Sequence, residues 1–189
     1  EDLSQISLEA GDTDAGAVTE DESVTNNQLS TNGHLTVTDA DSSDTAAFDI
    51  NSVTSTNTLG TLTIDENGNW VYNIDNTLAA VQGLDEGESF TEIFTVMTID
   101  GQTHEITVTV NGAEDLSQIS LEAGDTDVGS VTEDESVTNN QLSTNGHLTV
   151  TDTDSSDTAA FDVNSVTSTN TLGTLTIDEN GNWVYNIDN

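Results

Sequence analysis

Apolar and polar residues alternate along most of the chain, with the period of a β-strand that buries one face. The alternation is clearest where Leu62 and Ile64 precede the dipeptide Asn67-Gly68 and the pattern resumes at Trp70. An Asn-Gly pair between alternating runs is a strong hairpin signal. The pattern therefore predicts a β-hairpin with its turn at this dipeptide.

A second hairpin is predicted around Asp100-Gly101, between alternating runs that contain Phe94 and Val110. The apolar stretch from Leu78 to Leu84 breaks the alternation and predicts a short helical crossover. With the alternating runs nearer the N-terminus, the pattern predicts about seven to eight short strands in roughly 110 residues. We therefore expect an all-β, immunoglobulin-like sandwich.

The chain contains an internal repeat. The stretch EDLSQISLEAGDTD begins at Glu1 and again at Glu114. The second copy, residues 114–189, aligns with residues 1–76 of the first. The copies differ only at Ala15/Val128, Ala17/Ser130, Ala40/Thr153 and Ile50/Val163. We therefore predict a complete repeat over residues 1–113 and a near-identical one over 114–189, truncated before its last two strands. The chain is then expected to be an excerpt from a longer array.

Charge narrows the possible partners. The chain has 36 Asp and Glu residues, no Lys or Arg, and a formal net charge of −36. A compact chain of this kind repels itself, so an external agent has to neutralise it: divalent metal, concentrated salt or a basic partner. Binding to nucleic acid or to an anionic membrane surface is excluded, because both require basic side chains. No Cys is present for a disulfide or a thiolate site, and no apolar run approaches the roughly 18 residues that span a bilayer.

The best local candidate for a metal site is the stretch DADSSD. Calcium takes six to eight oxygen ligands, mainly from carboxylates, amides and carbonyls. Residues two apart on an extended strand point the same way, so Asp39 and Asp41 can share one ion. The alternative is a solvated turn rich in Asp and Ser. The candidate ligands are Asp39, Asp41 and Asp44, with Asp152, Asp154 and Asp157 in the second copy.

Further candidate metal ligands follow from the predicted directions of the strands. Alternating directions place the DADSSD stretch and both hairpin turns at the N-terminal end of a repeat. The acidic segments Asp12 to Glu22 and Asp85 to Glu88 are then expected at the C-terminal end, facing the linker. The proposed linker ligands are Glu114 and Asp115 (equivalent to Glu1 and Asp2), with Glu20, Asp21, Glu22, Asp85, Glu86 and Glu88 from the preceding loops and Asp152, Asp154 and Asp157 from the second repeat. Asp12 and Asp14 are either ligands or part of a surface turn.

Other notable residues favour structural roles. Asp65, Asn67 and Asn69 imitate the start of an EF-hand loop, but the required Gly and distal Glu are missing, so a hairpin turn is predicted. Trp70 and Tyr72 are expected in the core. The three histidines are expected to be isolated and structural, and no nucleophile elbow or triad can be identified, so no catalysis is predicted. These histidines are His34, His104 and His147.

Two stretches carry a family resemblance: GTLTIDENGNWVYNIDNTLAAVQGLDEGESFTEIFTVMTIDGQTHEITVTVNGA, at 60–113, and VTEDES…NGHLTVTDADSSD, at 18–44. They resemble the VCBS-type repeat of bacterial surface proteins, which implies cadherin-like domains in tandem in giant RTX-type adhesins exported by type I secretion. The resemblance also implies Ca²⁺ binding, often at linkers, and a location at the bacterial cell surface. The chain departs from the family in having no basic residues and in its linker, which reads NGAED rather than NG-x-ND.

The function expected from these observations is a calcium-stabilised extender that projects a terminal ligand-binding region from the cell in adhesion and biofilm formation. Its partners would be neighbouring repeats of the same long chain. The alternatives are a segment of an extracellular filament formed by lateral self-association, and a repeat that itself binds glycan or a surface. Screening by monovalent salt alone competes with calcium as the source of neutralisation.

Overall fold

The computed structural model describes residues 2–41, 44–56, 59–169 and 172–189. The chain divides into two compact units, Glu1–Glu114 and Asp115–Asn189. Within the described residues the first unit contains nine strands and one short helix. They are β1 (Gln5–Ser7), β2 (Ala15–Thr19), β3 (Gln28–His34), β4 (Thr36–Thr38), β5 (Thr54–Ser55), β6 (Thr61–Ile64), β7 (Asn69–Asp75), α1 (Ala79–Gln82), β8 (Ser89–Met97) and β9 (Thr103–Asn111).

The first unit is a β-sandwich. One sheet has the order β2-β9-β8-β5, a second has the order β3-β7-β6, and β1 pairs separately with β4. Strand β2 runs parallel to β9, and every other pairing between named strands is antiparallel. The prediction of an all-β, immunoglobulin-like sandwich is confirmed. The nine strands exceed the expected seven to eight, because β3 and β4 are separate strands divided at Leu35 and β5 is a further strand of only two residues.

Side chains from the two larger sheets form the core. Trp70 and Tyr72 are fully buried, as predicted, and the Tyr72 ring meets Phe94 edge-on at a centroid distance of 5.7 Å. Alternate residues of β8 and β9 complete the core from the opposite sheet, among them Val96 and Val108. The predicted crossover is also confirmed, because α1 lies between β7 in one sheet and β8 in the other and buries Val81.

Both predicted hairpins form, but their turns are longer than the dipeptide suggested. The Gly68 N–H donates to the Asp65 carbonyl at 3.0 Å, so the first turn spans four residues. The second turn is built in the same way, with Gly101 donating to the Thr98 carbonyl at 3.0 Å. Gly68 and Gly101 have φ values of 91° and 98°, the left-handed geometry of a turn that closes with a β-bulge.

The second unit repeats the first part of this arrangement. Its strands are β10 (Gln118–Ser120), β11 (Gln141–His147), β12 (Thr149–Thr151), β13 (Gly173–Ile177) and β14 (Asn182–Asp188). They form a three-stranded sheet of order β11-β14-β13 and a β10-β12 pair. Gly146 pairs with Trp183 in the register that joins Gly33 to Trp70 in the first unit. The assignment of the units to one complete and one truncated repeat stays a prediction.

One expected placement is wrong. The acidic segment from Asp12 to Glu22 was expected at the C-terminal end, but β2 divides it. Because β2 runs beside β9 from Ala15 to Thr19, Asp12 and Asp14 lie towards the start of β9 and Glu20 lies at its end. The sequence AGAVT carries too little alternation to reveal this strand.

Candidate metal centre

The structure of the first unit brings the DADSSD carboxylates together. Asp39, Asp41 and Asp44 each present one oxygen, and these oxygens lie within 4.8 Å of one another. The loop is shaped by its own backbone: the Asp41 N–H donates to Asp39 Oδ1 at 2.8 Å, and the Asp44 N–H donates to the Asp41 carbonyl at 3.0 Å. This is an Asx-type turn that directs successive carboxylates to one side.

Two further segments contribute to the same place. The Ser4 hydroxyl donates to Asp39 Oδ2 at 3.2 Å, and the Ser4 N–H donates to Asp100 Oδ2. The Asp2 N–H donates to Asp41 Oδ2 at 3.2 Å. A polar pocket at this end of the unit is lined by Asp2, Leu3, Asp39, Asp44, Thr45, Ile99 and Asp100. Glu1, the counterpart of Glu114, lies outside the described residues.

Sequence reasoning missed Asp100 as a member of this group. The signal was present, since strand direction had placed the Asp100-Gly101 turn at the same end as the DADSSD stretch. Hydrogen bonds from the Ser4 N–H and the Thr98 hydroxyl lower the pKa of Asp100 to about 2. This carboxylate therefore remains ionised at neutral pH and is available to a cation.

The donor set fits a hard divalent cation. Asp2, Asp39, Asp41, Asp44 and Asp100 supply oxygen atoms from three separate segments, as the irregular coordination sphere of Ca²⁺ requires. The sequence contains no Lys or Arg that could neutralise these carboxylates. Soft or redox-active metals are disfavoured because the sequence has no Cys and no His belongs to the cluster.

The second unit repeats the core of this cluster. The Asp115 N–H donates to Asp154 Oδ2 at 2.7 Å, and the Ser117 hydroxyl donates to Asp152 Oδ2 at 2.5 Å. Asp154 and Asp157 each present an oxygen within 4.8 Å of the other.

The candidates from the two acidic loops of the first unit lie at the C-terminal end of β9. The Glu20 N–H donates to the Asn111 carbonyl at 2.9 Å, and Glu86 forms a bridge with Gly112. Gln82 donates to Glu20 Oε1 at 2.8 Å and to Asp21 Oδ1 at 3.2 Å. The structure thus places Glu20, Asp21 and Glu22 in one loop and Asp85, Glu86 and Glu88 in another, and both loops flank the end of this strand.

Asp12 is a hydrogen-bond hub. It accepts the Glu9 N–H at 2.9 Å, the Thr36 hydroxyl at 2.7 Å and His34 Nδ1 at 2.7 Å. His34 Nε2 reaches the carbonyl of Asn67 at 3.0 Å. These donors all belong to the surrounding chain, so the Asp12 carboxylate holds neighbouring segments together. The contact with His34 also shows that the prediction of isolated histidines is wrong.

The other histidines are also paired. His104 contacts Asp14 at 3.0 Å, and His147 contacts Asp125 at 2.6 Å in the second unit. Asp65 has a local role too: its Oδ1 accepts the backbone N–H groups of Asn67 and Asn69, each at 2.9 Å. This confirms the hairpin turn that was predicted in place of an EF-hand.

Comparison with known structures gives remote likenesses. A protocadherin gammaB7 EC3-6 cis-dimer structure matches 94% of the chain at 17% identity, with a TM-score of 0.42. The human desmocollin-1 ectodomain matches 95% at 14% identity, with a TM-score of 0.35. An I-band fragment of titin matches 98% at 9% identity, with a TM-score of 0.31. The chain spans only 38%, 33% and 55% of these structures, respectively.

No curated protein matches the chain. Among the described residues, no helix is long and apolar enough to cross a membrane. The sequence model of the bacterial cadherin-like domain matches residues 9–112, which is more than half of the 189 residues. The chain therefore belongs to the bacterial cadherin-like domain family.

Proposed function

We propose that this chain is a calcium-stabilised spacer segment of a large secreted bacterial adhesin and holds a terminal ligand-binding region away from the cell. Family membership indicates an extracellular, repeat-type domain, and domains of this kind are typically structural or adhesive. The near-identical copies within the chain support a tandem array, in which residues 1–113 form one complete repeat and residues 114–189 form part of the next. The partners proposed for each repeat are its neighbours in the same chain.

The observation that carries this proposal is the convergence of carboxylates at one end of the first unit. Asp39, Asp41 and Asp44 lie within 4.8 Å of one another, and Asp100 shares their pocket. Like charges this close repel strongly unless a cation lies among them. Since the sequence has no Lys or Arg, that cation has to come from solution.

A buried carboxylate of the first unit supports the same conclusion. Glu20 is fully buried, although burial of an ionised carboxylate is costly. The hydrogen bond from Gln82 to Glu20 stabilises the negative charge but does not neutralise it. We include Glu20, Asp85 and the linker pair Glu114 and Asp115 among the proposed ligands, with the linker pair resting on the sequence alone.

The proposed mechanism couples folding to calcium. A ligand that binds only the folded state stabilises that state by mass action. In a compartment poor in Ca²⁺ the repelling carboxylates would keep the array loose, which suits secretion of an unfolded chain. At the calcium concentration outside the cell, the loops would bind the ion and the repeats would become rigid.

Calorimetric titration of the whole chain with Ca²⁺ tests the proposal. We expect saturable binding that weakens on the order of tenfold in the first unit after Asp39→Asn or Asp100→Asn, because each substitution removes one anionic ligand. Glu105→Gln is the matched control, because it removes the same charge from an exposed position on β9. Absence of saturable binding, or an equal effect of Glu105→Gln, would contradict the calcium role.

A further inference from the structure

The acidic side chains of the first unit are largely kept out of its sheets. Residues 1–113 contain 21 Asp and Glu residues, but within the described strands only Asp75, Glu92 and Glu105 are acidic. Asp75 is the last residue of β7, and Glu92 is fully buried. The negative charge is therefore concentrated in the loops, and the outward faces of the two larger sheets are left almost neutral.

The longest of these neutral faces belongs to β2, β9 and β8. Val18, Val108 and Val96 mark the buried side of the three strands, so the residues between them in the alternation point outward. The outward residues are Ala15, Ala17 and Thr19 of β2, Thr103, Glu105, Thr107, Thr109 and Asn111 of β9, and Ser89, Thr91, Ile93, Thr95 and Met97 of β8. Within these three strands, which the structure describes throughout, Glu105 is the only charged residue that points outward.

The strand register brings these outward residues into one continuous surface. Thr109 lies between Thr91 on one side and Ala17 on the other. Ile93, in the middle of β8, pairs with Thr107 and is 44% exposed. Because β8 and β9 have nine residues each, the surface is about 30 Å long. It consists of hydroxyl groups and small or exposed apolar side chains.

The chemistry of this surface suits a second copy of the chain. A threonine hydroxyl both donates and accepts hydrogen bonds, so two identical threonine-rich faces are complementary. The exposed side chain of Ile93 adds apolar area that such a contact would bury. A contact through the loops would instead bring carboxylates of the two copies together, and like charges repel. A basic partner would be attracted to those loops rather than to this neutral face.

The outer face of the β3-β7-β6 sheet is also poor in charge, but it is less suited to such a contact. Its strands have seven residues or fewer. Its exposed apolar residue, Val71, is 39% exposed and lies between Asn32 and Thr63. This face therefore offers a shorter and more polar surface, and Val71 provides a matched control for Ile93.

We propose that the outward face of β2, β9 and β8 is a self-association surface, on which two copies of the chain meet around Ile93. Because the surface is at the low end of the size range of protein interfaces, the contact is weak and reversible. The Glu105 carboxylates of the two copies are brought onto the same interface and oppose the contact. The inference rests neither on calcium binding nor on the role in an adhesin.

Sedimentation equilibrium of the whole chain over a range of concentrations tests this proposal. Concentrated NaCl with EDTA screens the repulsion between loops and excludes bridging by divalent ions. We expect a reversible dimer whose dissociation constant rises on the order of tenfold or more with Ile93→Glu, because a charge is placed at the centre of the contact. Glu105→Gln should lower the dissociation constant, because it removes the one outward charge. Val71→Glu adds the same charge to a similarly exposed position on the other sheet and should associate like the wild type.

Nuclear magnetic resonance of the wild-type chain gives a readout that needs no substitution. The signals of Ile93, Thr107 and Thr109 should shift with protein concentration, while that of Val71 should not. A chain that stays monomeric at every concentration would overturn the proposal, as would equal weakening by Ile93→Glu and Val71→Glu. Shifts of the same signals on addition of dextran to a chain that stays monomeric would also overturn it, because a neutral glycan would then be the occupant.

Discussion

At the scale of single residues, the histidines are the only side-chain cations that this chain can form. His34 is bound through both ring nitrogens, to the Asp12 carboxylate and the Asn67 carbonyl. Both partners are acceptors, so the doubly protonated, cationic ring satisfies both. For this reason the Asp12 contact raises the pKa of His34, and the hydrogen bonds from Glu9, His34 and Thr36 lower the pKa of Asp12 to about 2.

These shifts predict how stability depends on pH. The stabilisation from His34 is present below its unfolded pKa of about 6.5 and is lost as pH rises through the raised folded pKa. The stabilisation from Asp12 is present above its unfolded pKa of about 3.9 and is lost as pH falls towards the lowered folded value. The pair therefore contributes most between these limits, and His147 with Asp125 repeats it in the second unit.

Thermal melting in chelator checks this prediction. The variant with His34→Gln and His147→Gln should lose less stability than the wild type when pH is raised from about 6 to about 8. Thr36→Val is the control, because it removes a donor to Asp12 that does not titrate and should keep the wild-type slope. A slope that the double variant shares with the wild type would refute the assignment.

At the scale of secondary-structure elements, sequence patterns predicted the features formed by residues close together in the chain. They missed contacts between segments that are far apart in the chain. The two hairpins and the Leu78 to Leu84 crossover were predictable because turn and strand signals lie within a few residues. Strand direction placed the Asp100-Gly101 turn at the correct end, but Asp100 was missed as a cluster member because its contact with Ser4 spans 96 positions. Strand β2 was missed because AGAVT shows too little alternation, and its pairing with β9 and the placement of Asp12 and Asp14 were missed with it.

The hairpin glycines give a prediction at this scale. Gly68 and Gly101 both have positive φ, so alanine at either position carries backbone strain of about 1–2 kcal/mol. A Cβ at Gly68 would also lie 2.0 Å from the Leu35 carbonyl oxygen, whereas nothing lies within 4 Å of one at Gly101. Gly68→Ala should therefore lower the free energy of unfolding by about 1–3 kcal/mol more than Gly101→Ala. Urea denaturation measures both, and equal losses would show that the backbone at Gly68 moves aside.

At the scale of the whole molecule, repulsion between carboxylates is the main effect that opposes a compact fold. A formal charge of −36 on 189 residues has no internal compensation beyond three histidines. Monovalent salt screens such charges over a Debye length of about 8–10 Å at moderate ionic strength. It screens poorly between carboxylates that share one pocket, where a divalent ion bound directly to their oxygens is far more effective. General screening by monovalent salt and specific binding of calcium should therefore have different effects on stability.

The most direct measurement is the melting temperature of the whole chain in dilute buffer with EDTA, with millimolar Ca²⁺, and with concentrated NaCl in the presence of EDTA. We predict a clear rise with Ca²⁺ that NaCl does not reproduce. Each site filled at a hundredfold excess over its dissociation constant adds about 2.7 kcal/mol to the free energy of unfolding. A melting temperature that is the same with EDTA and with Ca²⁺, or one that NaCl raises equally, would contradict the account.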